Sequence, residues 1–238
     1  MRILNNLKIK IFADGANIID MHKLNKINYI SGFTTNPSLM SQSKINNYRT
    51  FADEILKKIN KKPISFEVTA DSFSEMEKQA NHIYNWSSNI FVKIPFTNSK
   101  GQKTLGLIKK LSKNGLKLNI TSLFTYDQVR QVIKVLNKDS ETIISIFAGR
   151  IADTGRDPSL TIKKSVVATK KYKKIQILWA SCREIYNIFE ANKVGCHIIT
   201  VPHSIIKKFS IIGKNLDQYS IETARDFYLD SKKIKIKI

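Results

Sequence analysis

The sequence predicts an α/β fold, a single (β/α)8 TIM barrel, and three observations support this prediction. Eight short apolar runs recur along the chain, and segments with helical periodicity separate them. The runs are almost continuously apolar, as expected of parallel strands that are buried on both faces. The chain has 238 residues and is 42% hydrophobic, which is enough for the core of such a barrel. The predicted strands, in order, are KIKIFAD, GFTTNP, ISFEV, IFVKIP, LKLNIT, IISIFAG, IQILWAS and HIITVP.

The segments between these runs have the pattern of amphipathic helices. In YRTFADEILKKINKK, residues 48–62, apolar side chains recur three and four positions apart. The buried face of this helix is predicted to consist of Tyr48, Phe51, Ala52, Ile55, Leu56 and Ile59. A further amphipathic segment, SIETARDFYLD, lies near the end of the chain. Residues 1–238 are therefore assigned to one domain, in which residues 217–238 form an extra C-terminal helix and tail.

Helix start and stop signals agree with this division. Ser72 and Thr125 each precede a Glu or Gln by three positions, which predicts capping boxes. Asp157–Pro158 predicts an N-cap followed by the first helical residue. Gly115 and Gly195 predict helix ends before the next strand. A doubly wound open sheet is the alternative architecture, but no GxGxxG or Walker sequence follows any strand, which weakens it.

The formal net charge of +21 raises the question of a nucleic-acid partner. The Lys-Lys pairs are spread along the whole chain and fall mostly on polar helix faces or turns, so they form no clear patch. Lys, Ile and Asn are abundant together and all have A/T-rich codons, so biased base composition accounts for much of the charge. Attraction of small anionic substrates is the functional effect that we expect from the remainder.

The cysteines and the hydropathy pattern favour a cytoplasmic protein. Cys182 and Cys196 make neither a disulfide framework nor a CxxC pair, which fits a reducing compartment. The first residues lack the apolar segment and cleavage site of a signal peptide, and no stretch approaches the roughly 18 apolar residues of a membrane span. We therefore expect an unprocessed protein with no membrane partner.

Polar side chains occur near the ends of seven of the eight predicted strands. In a barrel, side chains alternate inward and outward, and active sites form at the carboxyl ends of the strands. A single Asn or Ser there is usually a turn former. An ordinary hydrophobic barrel interior would have Val, Ile or Leu at these inward positions, so polar residues on seven strands together indicate a functional site. Its members are Asp14, Thr34, Asn36, Glu67, Lys93, Asn119, Thr121, Ser145, Ser181 and Arg183.

Lys93 is the most informative of these residues. It lies inside IFVKIPFT, where a buried ammonium would have to be paired, deprotonated or used in chemistry. Desolvation by Phe91, Val92 and Ile94 favours the neutral amine, which is a nucleophile towards carbonyls. The protonated imine that results serves as an electron sink for breaking an adjacent C–C bond.

Other charged residues complete the candidate site. Asp14 and Glu67 are the carboxylates that can move protons, provided that their environments differ. Arg150 and Arg183 follow neighbouring strands and suit a phosphate or a carboxylate. The four histidines are scattered and form no ligand cluster with the cysteines, so we predict no metal and no cofactor.

Five motifs resemble the transaldolase family, in its order and near its spacings. The resemblance spans roughly residues 9 to 205, and TTNPSL together with VKIP is its most specific part. It implies a (β/α)8 barrel with class I, Schiff-base chemistry and a length similar to that of the short transaldolase subgroup. The motifs are GFTTNPSL at 32–39, VKIP at 92–95, NIT at 119–121, SIFAGR at 145–150 and ASCR at 180–183.

The resemblance also implies roles for individual residues. Lys93 would attack the C2 carbonyl of a ketose phosphate, and Asp14 would take the proton of the C4 hydroxyl. Glu67 and Thr121 resemble the pair that holds the catalytic water. The residues implied in binding the dihydroxyacetone part are Asn36, Asn119 and Ser145, with Thr34 and Phe147 also lining the substrate site. Those implied in holding the phosphate are Arg150, Ser181 and Arg183.

Within the same superfamily, fructose-6-phosphate aldolase is the nearest alternative activity, since it releases free dihydroxyacetone. That enzyme has Gln, a small residue and Tyr at the positions of Glu67, Ser145 and Phe147. All three residues here favour transfer over release. The resemblance thus implies that a dihydroxyacetone unit moves from fructose 6-phosphate or sedoheptulose 7-phosphate to an aldose phosphate, in the pentose phosphate pathway. A transaldolase-like enzyme with an altered sugar substrate is a further alternative.

The chain departs from the family pattern at four places. Gly15 follows Asp14 where Thr or Ser is usual, and Ile146 replaces a common Pro. Trp179 replaces a small residue and is expected to share an inward face with Ser181 and Arg183, narrowing the phosphate end. VPHSII replaces the usual Pro-Pro after the eighth strand.

The expected partners are small-molecule sugar phosphates and further copies of the chain. Short transaldolases form rings in which a C-terminal helix crosses to a neighbour, and the segment after Asp217 is suited to this role. Two other classes of function stay open, an inactive barrel and a nucleic-acid-binding protein. Retention of Lys93, Asp14 and Glu67 argues against the first, since a non-catalytic core would gain from apolar replacements. A salt titration of DNA binding tests the second.

Overall fold

The computed structural model describes residues 2–234, and its eight strands form one closed parallel barrel in chain order. The predicted TIM barrel is confirmed. The strands are β1 (Lys10–Asp14), β2 (Ile30–Thr34), β3 (Ile64–Glu67), β4 (Ile90–Pro95), β5 (Leu118–Leu123), β6 (Thr142–Ile146), β7 (Ile175–Trp179) and β8 (Ile198–Pro202).

Helices alternate with these strands, and the predicted additional C-terminal helix is present. The first six are α1 (Arg2–Asn5), α2 (Ile18–Asn25), α3 (Pro37–Gln42), α4 (Tyr48–Leu56), α5 (Phe73–Tyr84) and α6 (Leu105–Lys113). The others are α7 (Tyr126–Val135), α8 (Ala148–Ala152), α9 (Ser159–Thr169), α10 (Tyr186–Lys193), α11 (His203–Ile206) and α12 (Leu216–Lys233). A 3-10 turn, Phe209–Ile211, follows α11.

The helix ends largely follow the sequence signals. The Thr125 hydroxyl accepts from the backbone in a full capping box at α7, and the Ser72 hydroxyl caps α5. Gly115 and Gly195 have positive φ angles of 82° and 75°, a conformation that glycine adopts without strain. The prediction of Asp157 as an N-cap is wrong by one residue, because α9 begins at Ser159 and Pro158 is its N-cap; the Asp157 carboxylate accepts from the Ser159 amide.

An apolar layer crosses the inside of the barrel below the polar residues at the strand ends. It forms a cluster separate from the larger core between the strands and the helices. Because side chains alternate along a strand, the residue two positions later on several strands is polar and inward-facing. The inner layer consists of Phe12, Phe91, Ile143, Leu178, Ala180 and Ile198.

The expected inward position of Trp179 is wrong. Trp179 is buried in the outer core, against the helices, whereas its neighbours Leu178 and Ala180 belong to the inner layer. β7 ends at Trp179, and the backbone at Ser181 turns to a φ of +64°. The alternation of a strand therefore does not continue to Ser181 and Arg183, and these two residues share no strand face with Trp179.

The C-terminal helix α12 has 18 residues, and none of its side chains is buried. The predicted tail of this segment extends past it, and residues 235–238 lie outside the described part of the chain. Between residues 2 and 234, no helix is both long enough and apolar enough to cross a membrane. The assignment of residues 1–238 to one domain stays a prediction.

Candidate active site

A cavity of about 370 Å³ opens at the carboxyl ends of the strands. Every predicted site residue except Arg183 lines it, although the sequence spreads them from residue 14 to residue 181. The parallel barrel brings them together because all strand ends meet on one face. The polar or charged lining residues are Asp14, Thr34, Asn36, Ser38, Glu67, Lys93, Asn119, Thr121, Ser122, Ser145, Arg150, Ser181 and Thr200.

Lys93 lies at the bottom of this cavity and is only 7% exposed. Its Nζ is 2.9 Å from Glu67 Oε2, and it donates a 2.8 Å hydrogen bond to the carbonyl oxygen of Thr35. Glu67 and Lys93 are paired residues of β3 and β4, so the barrel register itself places them side by side. The sequence required the buried Lys93 ammonium to be paired, deprotonated or used in chemistry, and the structure shows that it is paired with Glu67.

Asp14 lies across the barrel in a chain of hydroxyl groups. The Thr34 hydroxyl donates to Asp14 Oδ1 at 2.7 Å and also contacts the Thr200 hydroxyl. Burial raises the pKa of the Asp14 carboxyl, while the positive charge of Lys93 and the Thr34 hydrogen bond oppose the rise. A carboxyl with a raised pKa can exchange a proton closer to neutral pH than an exposed one.

The wall formed by β5 and β6 presents fixed polar groups. The side-chain amide of Asn119 donates to the Ser65 hydroxyl at 3.0 Å, and its oxygen accepts from the Ser145 hydroxyl at 2.6 Å. Thr121, one step higher on β5, is 1% exposed, and its hydroxyl has no partner among the described residues. A buried hydroxyl without a partner in a polar cavity is suited to hold a water molecule or a substrate oxygen.

The rim of the cavity contains an aromatic and cationic group. Arg150, on the short helix α8, lies with its guanidinium carbon 5.3 Å from the ring centre of Phe147. Phe124 contacts the same ring, with 5.7 Å between centroids. Stacking on an aromatic face leaves the donors of Arg150 free for an anion.

The cavity wall also includes unusual backbone conformations. Ser122 and Ser181 both have positive φ angles, which are uncommon for residues with a side chain and often occur at functional sites. Asn36 forms the rim on the other side, where its side chain caps α3 by accepting from the Leu39 backbone at 3.0 Å. The Asn36 side-chain amide donates no hydrogen bond to the described residues, so it can donate to a ligand.

Arg183 is the predicted site residue that the fold does not bring to the cavity. Its guanidinium pairs with Asp153, and its side chain is 51% exposed. The pairing follows from the turn after β7, because the Ser181 backbone approaches α8 closely. A Cβ at Gly149 would collide with the Ser181 carbonyl oxygen, so only glycine fits there. Arg150 is therefore the arginine of the cavity.

Three polar residues of the cavity were missed in the sequence, Ser38, Ser122 and Thr200, and so were Ser65 and Tyr48, which support the site from outside the cavity. Thr200 is the single polar residue inside IITVP, the same type of signal that identified Lys93. Ser65 lies two positions before the predicted Glu67, on the same face of β3, and its hydroxyl accepts from the Asn119 amide. Tyr48 fits the apolar face of its helix, and its hydroxyl contacts at Glu67 have no counterpart in the sequence pattern.

Comparison with known families decides the relationship. Residues 11–238 match the model of the family described as transaldolase/fructose-6-phosphate aldolase. The chain belongs to this family. A "Probable transaldolase" from Dehalococcoides mccartyi is 34% identical over 83% of this chain and 88% of that protein. Another with the same name, from a Thermoanaerobacter species, is 32% identical over 97% of this chain and 100% of that protein.

Comparison with solved structures supports the barrel fold. The crystal structure of 2,3-dimethylmalate lyase superposes with a TM-score of 0.58 at 11% identity, covering 99% of this chain and 86% of that one. Identity at this level supports the barrel architecture alone. The transaldolase/fructose-6-phosphate aldolase relationship thus rests on the sequence matches, and the roles of Lys93, Asp14 and Glu67, which line one cavity, stay predictions.

Proposed function

We propose that the chain is a class I transaldolase that forms a Schiff base on Lys93. The observation that carries the proposal is the buried Lys93 amine, 2.9 Å from the Glu67 carboxylate in a cavity lined by polar side chains. A lysine in this setting suits attack on a carbonyl, because the carboxylate beside it can accept the ammonium proton. Both buried cysteines are poor rivals as nucleophiles, since burial raises the pKa of each thiol to about 12.

The proposed reaction begins with addition of the Lys93 amine to C2 of a ketose phosphate and loss of water to give a protonated imine. Asp14 then takes the proton of the C4 hydroxyl, the C3–C4 bond breaks, and its electron pair moves into the imine to leave an enamine. The aldose phosphate departs. The enamine then attacks the carbonyl carbon of an acceptor aldose phosphate, and Asp14 returns its proton to the oxygen of that carbonyl. Water hydrolyses the resulting imine and releases the product from Lys93.

The other cavity residues have binding roles in this proposal. Thr121, whose hydroxyl has no partner among the described residues, holds the catalytic water together with Glu67. Arg150 and Ser181, which both line the cavity, hold the phosphate. Arg183 lies outside the cavity and would have to leave Asp153 to join them. The dihydroxyacetone part lies against Asn36, Thr34, Asn119, Ser145 and Phe147, all of which line the cavity.

Fructose 6-phosphate and sedoheptulose 7-phosphate are the proposed donors, in the pentose phosphate pathway of the cytoplasm. No metal or cofactor enters the proposed steps. The second candidate is the lyase reaction, in which the enamine is protonated and dihydroxyacetone is released. Phe147 favours transfer, because it offers no hydroxyl proton beside the enamine. Free dihydroxyacetone measured without an acceptor separates the two reactions.

Reductive trapping tests the proposed function. Borohydride treatment with fructose 6-phosphate should add a three-carbon unit to Lys93, identified by intact and peptide mass spectrometry. Lys93→Arg keeps a cation beside Glu67 but cannot form an imine, and it should remain unmodified. Lys62→Arg, at a lysine whose ammonium bonds to backbone carbonyls elsewhere, should trap like the wild type. Absence of an adduct with both fructose and sedoheptulose phosphates would overturn the proposal.

A further inference from the structure

The ladder between β2 and β3 ends early, just beside Lys93. The last bond that β2 donates across it runs from the Thr35 amide to the Ser65 carbonyl, one step beyond the bond from the Phe33 amide to the Pro63 carbonyl. In a continued parallel ladder, the Glu67 amide would next donate to the Thr35 carbonyl, and the amide of residue 37 would then donate to the Glu67 carbonyl. Residue 37 is proline, which has no amide hydrogen, so this bond cannot form.

Tyr48 supplies the missing partner from outside the sheet. Its hydroxyl donates to the Glu67 carbonyl at 3.0 Å and accepts from the Glu67 amide at 2.8 Å. One side chain thus satisfies both backbone groups of Glu67 that would otherwise face β2. Burial raises the pKa of the Tyr48 phenol, so the hydroxyl keeps the proton that it donates.

The same geometry leaves the Thr35 carbonyl for Lys93. The ladder pattern would use this carbonyl as the acceptor for the Glu67 amide. In the structure, the Glu67 amide goes to Tyr48, and the Thr35 carbonyl accepts from Lys93 Nζ at 2.8 Å. The exchange gives Lys93 a fixed acceptor on one side and the Glu67 carboxylate on the other.

Aromatic packing holds the Tyr48 ring in place. Phe66 and Trp86 contact it edge to face, with centroid distances of 5.9 Å and 5.6 Å. Tyr48 is also the first residue of α4, whose N-cap is Asn47. Both constraints fix the ring without using its hydroxyl, so the hydroxyl can be removed while the ring stays packed.

We propose that Tyr48 is a positioning residue, whose hydroxyl replaces β2 as the partner of Glu67 and thereby keeps the Thr35 carbonyl available to the reactive lysine. The proposal rests on the proposed Schiff-base function for its kinetic readout. Tyr48 touches neither the substrate cavity nor the Lys93 amine, and it acts through the backbone of Glu67 and Thr35.

Tyr48→Phe tests this role, with Tyr84→Phe as the matched control. Tyr84 also donates a hydroxyl hydrogen bond to a backbone carbonyl, that of Gly115, at 3.3 Å and away from the cavity. In Tyr48→Phe, the Glu67 amide should compete for the Thr35 carbonyl, so kcat should fall about tenfold while KM changes less than about twofold. The control should keep both constants.

A second measurement needs no sugar. Acetic anhydride labelling, followed by peptide mass spectrometry, gives the acylation rate of Lys93 relative to exposed lysines in the same digest. The Lys93 rate should rise about threefold in Tyr48→Phe, because the amine loses one of its two fixed partners. If the wild type forms no borohydride adduct but this rate still rises, the proposed function fails and the positioning role stands.

A purely structural role for Tyr48 would give a different pattern. Unfolding would then occur at lower denaturant concentration, with unchanged kcat and unchanged Lys93 acylation, and the proposal would be overturned. If Tyr48→Phe does not fold, Tyr48→4-aminophenylalanine provides the second variant, since its amino group again offers a donor and an acceptor. We expect kcat within about threefold of the wild type for this variant, and a full loss with an intact fold would also overturn the proposal.

Discussion

At the scale of single residues, two departures from the family pattern are in contact: Gly15, after Asp14, and His203, in VPHSII. A Cβ at Gly15 would lie 2.4 Å from Cε1 of the His203 ring, so a larger residue at 15 requires the ring to move. His203 is 10% exposed in its side chain, and its Nε2 has no hydrogen-bond partner within the described chain. Burial lowers the pKa of His203, and the Asp20 carboxylate, 3.8 Å from Nδ1, opposes this only in part. Gly15 is therefore required by its neighbour.

We predict that Gly15→Ser destabilises the protein and lowers activity, because the hydroxymethyl group collides with His203 next to Asp14. Overpacking of this kind costs about 1–3 kcal/mol. His203→Ala should tolerate Ser at position 15, so the double variant should recover most of the loss. Urea unfolding and kcat/KM for the four proteins of this double-mutant cycle measure the coupling.

Gly106→Ser is the matched control for that cycle. A Cβ at Gly106, in α6, meets no atom within 4 Å, so this substitution should leave stability and activity near the wild-type values. Losses in Gly15→Ser that persist unchanged with His203→Ala would show that the two positions are not coupled. The departures would then need separate explanations.

At the scale of secondary-structure elements, α12 buries no side chain in its own subunit. Leu216 is 78% exposed, Phe227 71% and Tyr228 60%. An amphipathic helix gains most of its stability from packing of its apolar face, which this subunit does not cover. Among other exposed apolar residues on the barrel are Ile19, Leu160, Val167 and Tyr186. A second copy of the chain is the partner that we propose for α12.

We predict that Phe227→Glu shifts the protein from an oligomer towards the monomer, because the charge would be buried in the contact with the next subunit. Light scattering coupled to size-exclusion chromatography gives the mass. Gln218→Glu, which adds the same charge near the helix start beside Asn215, should keep the oligomer. A wild-type protein that runs as a monomer at micromolar concentration would refute the oligomer.

The strands show how far the sequence could be interpreted. Their buried apolar runs predict all eight, because parallel strands between a barrel interior and helices are apolar on both faces. Where a strand stops is set by tertiary contacts, and β7 stops at Trp179 because the next turn packs on α8. Alternation carried past that point gave the wrong face for Trp179 and placed Arg183 in a cavity that it does not line.

A side chain that both packs in the core and forms hydrogen bonds shows only its packing role in the sequence pattern. Tyr48 was predicted on the buried face of its helix, and its ring does pack there. Its hydroxyl contacts depend on where β2 ends relative to β3, which no local pattern contains. Lys93, Asp14 and Glu67 were found because a charged group inside an apolar run is costly unless it has a use.

At the scale of the whole molecule, the chain has 40 Lys and Arg residues against 19 Asp and Glu. The cavity itself contains both signs of charge, with Lys93 and Arg150 facing Asp14 and Glu67. Any long-range attraction of an anionic substrate must then come from the positive charge on the surrounding surface. Such attraction acts on charged ligands alone, and salt screens it within roughly 10 Å at 0.1 M ionic strength.

We predict that kcat/KM for fructose 6-phosphate falls about threefold when NaCl is raised from about 20 mM to about 200 mM, because screening slows the approach of the phosphate. Unphosphorylated fructose, tested at the same salt concentrations, should show no such loss. An equal loss for both sugars would place the effect in the fold or in the chemical step. Duplex DNA titrated over the same range should lose its binding near physiological salt if the positive charge is diffuse, whereas a specific DNA site would retain binding with a steep, constant slope of log K against log salt.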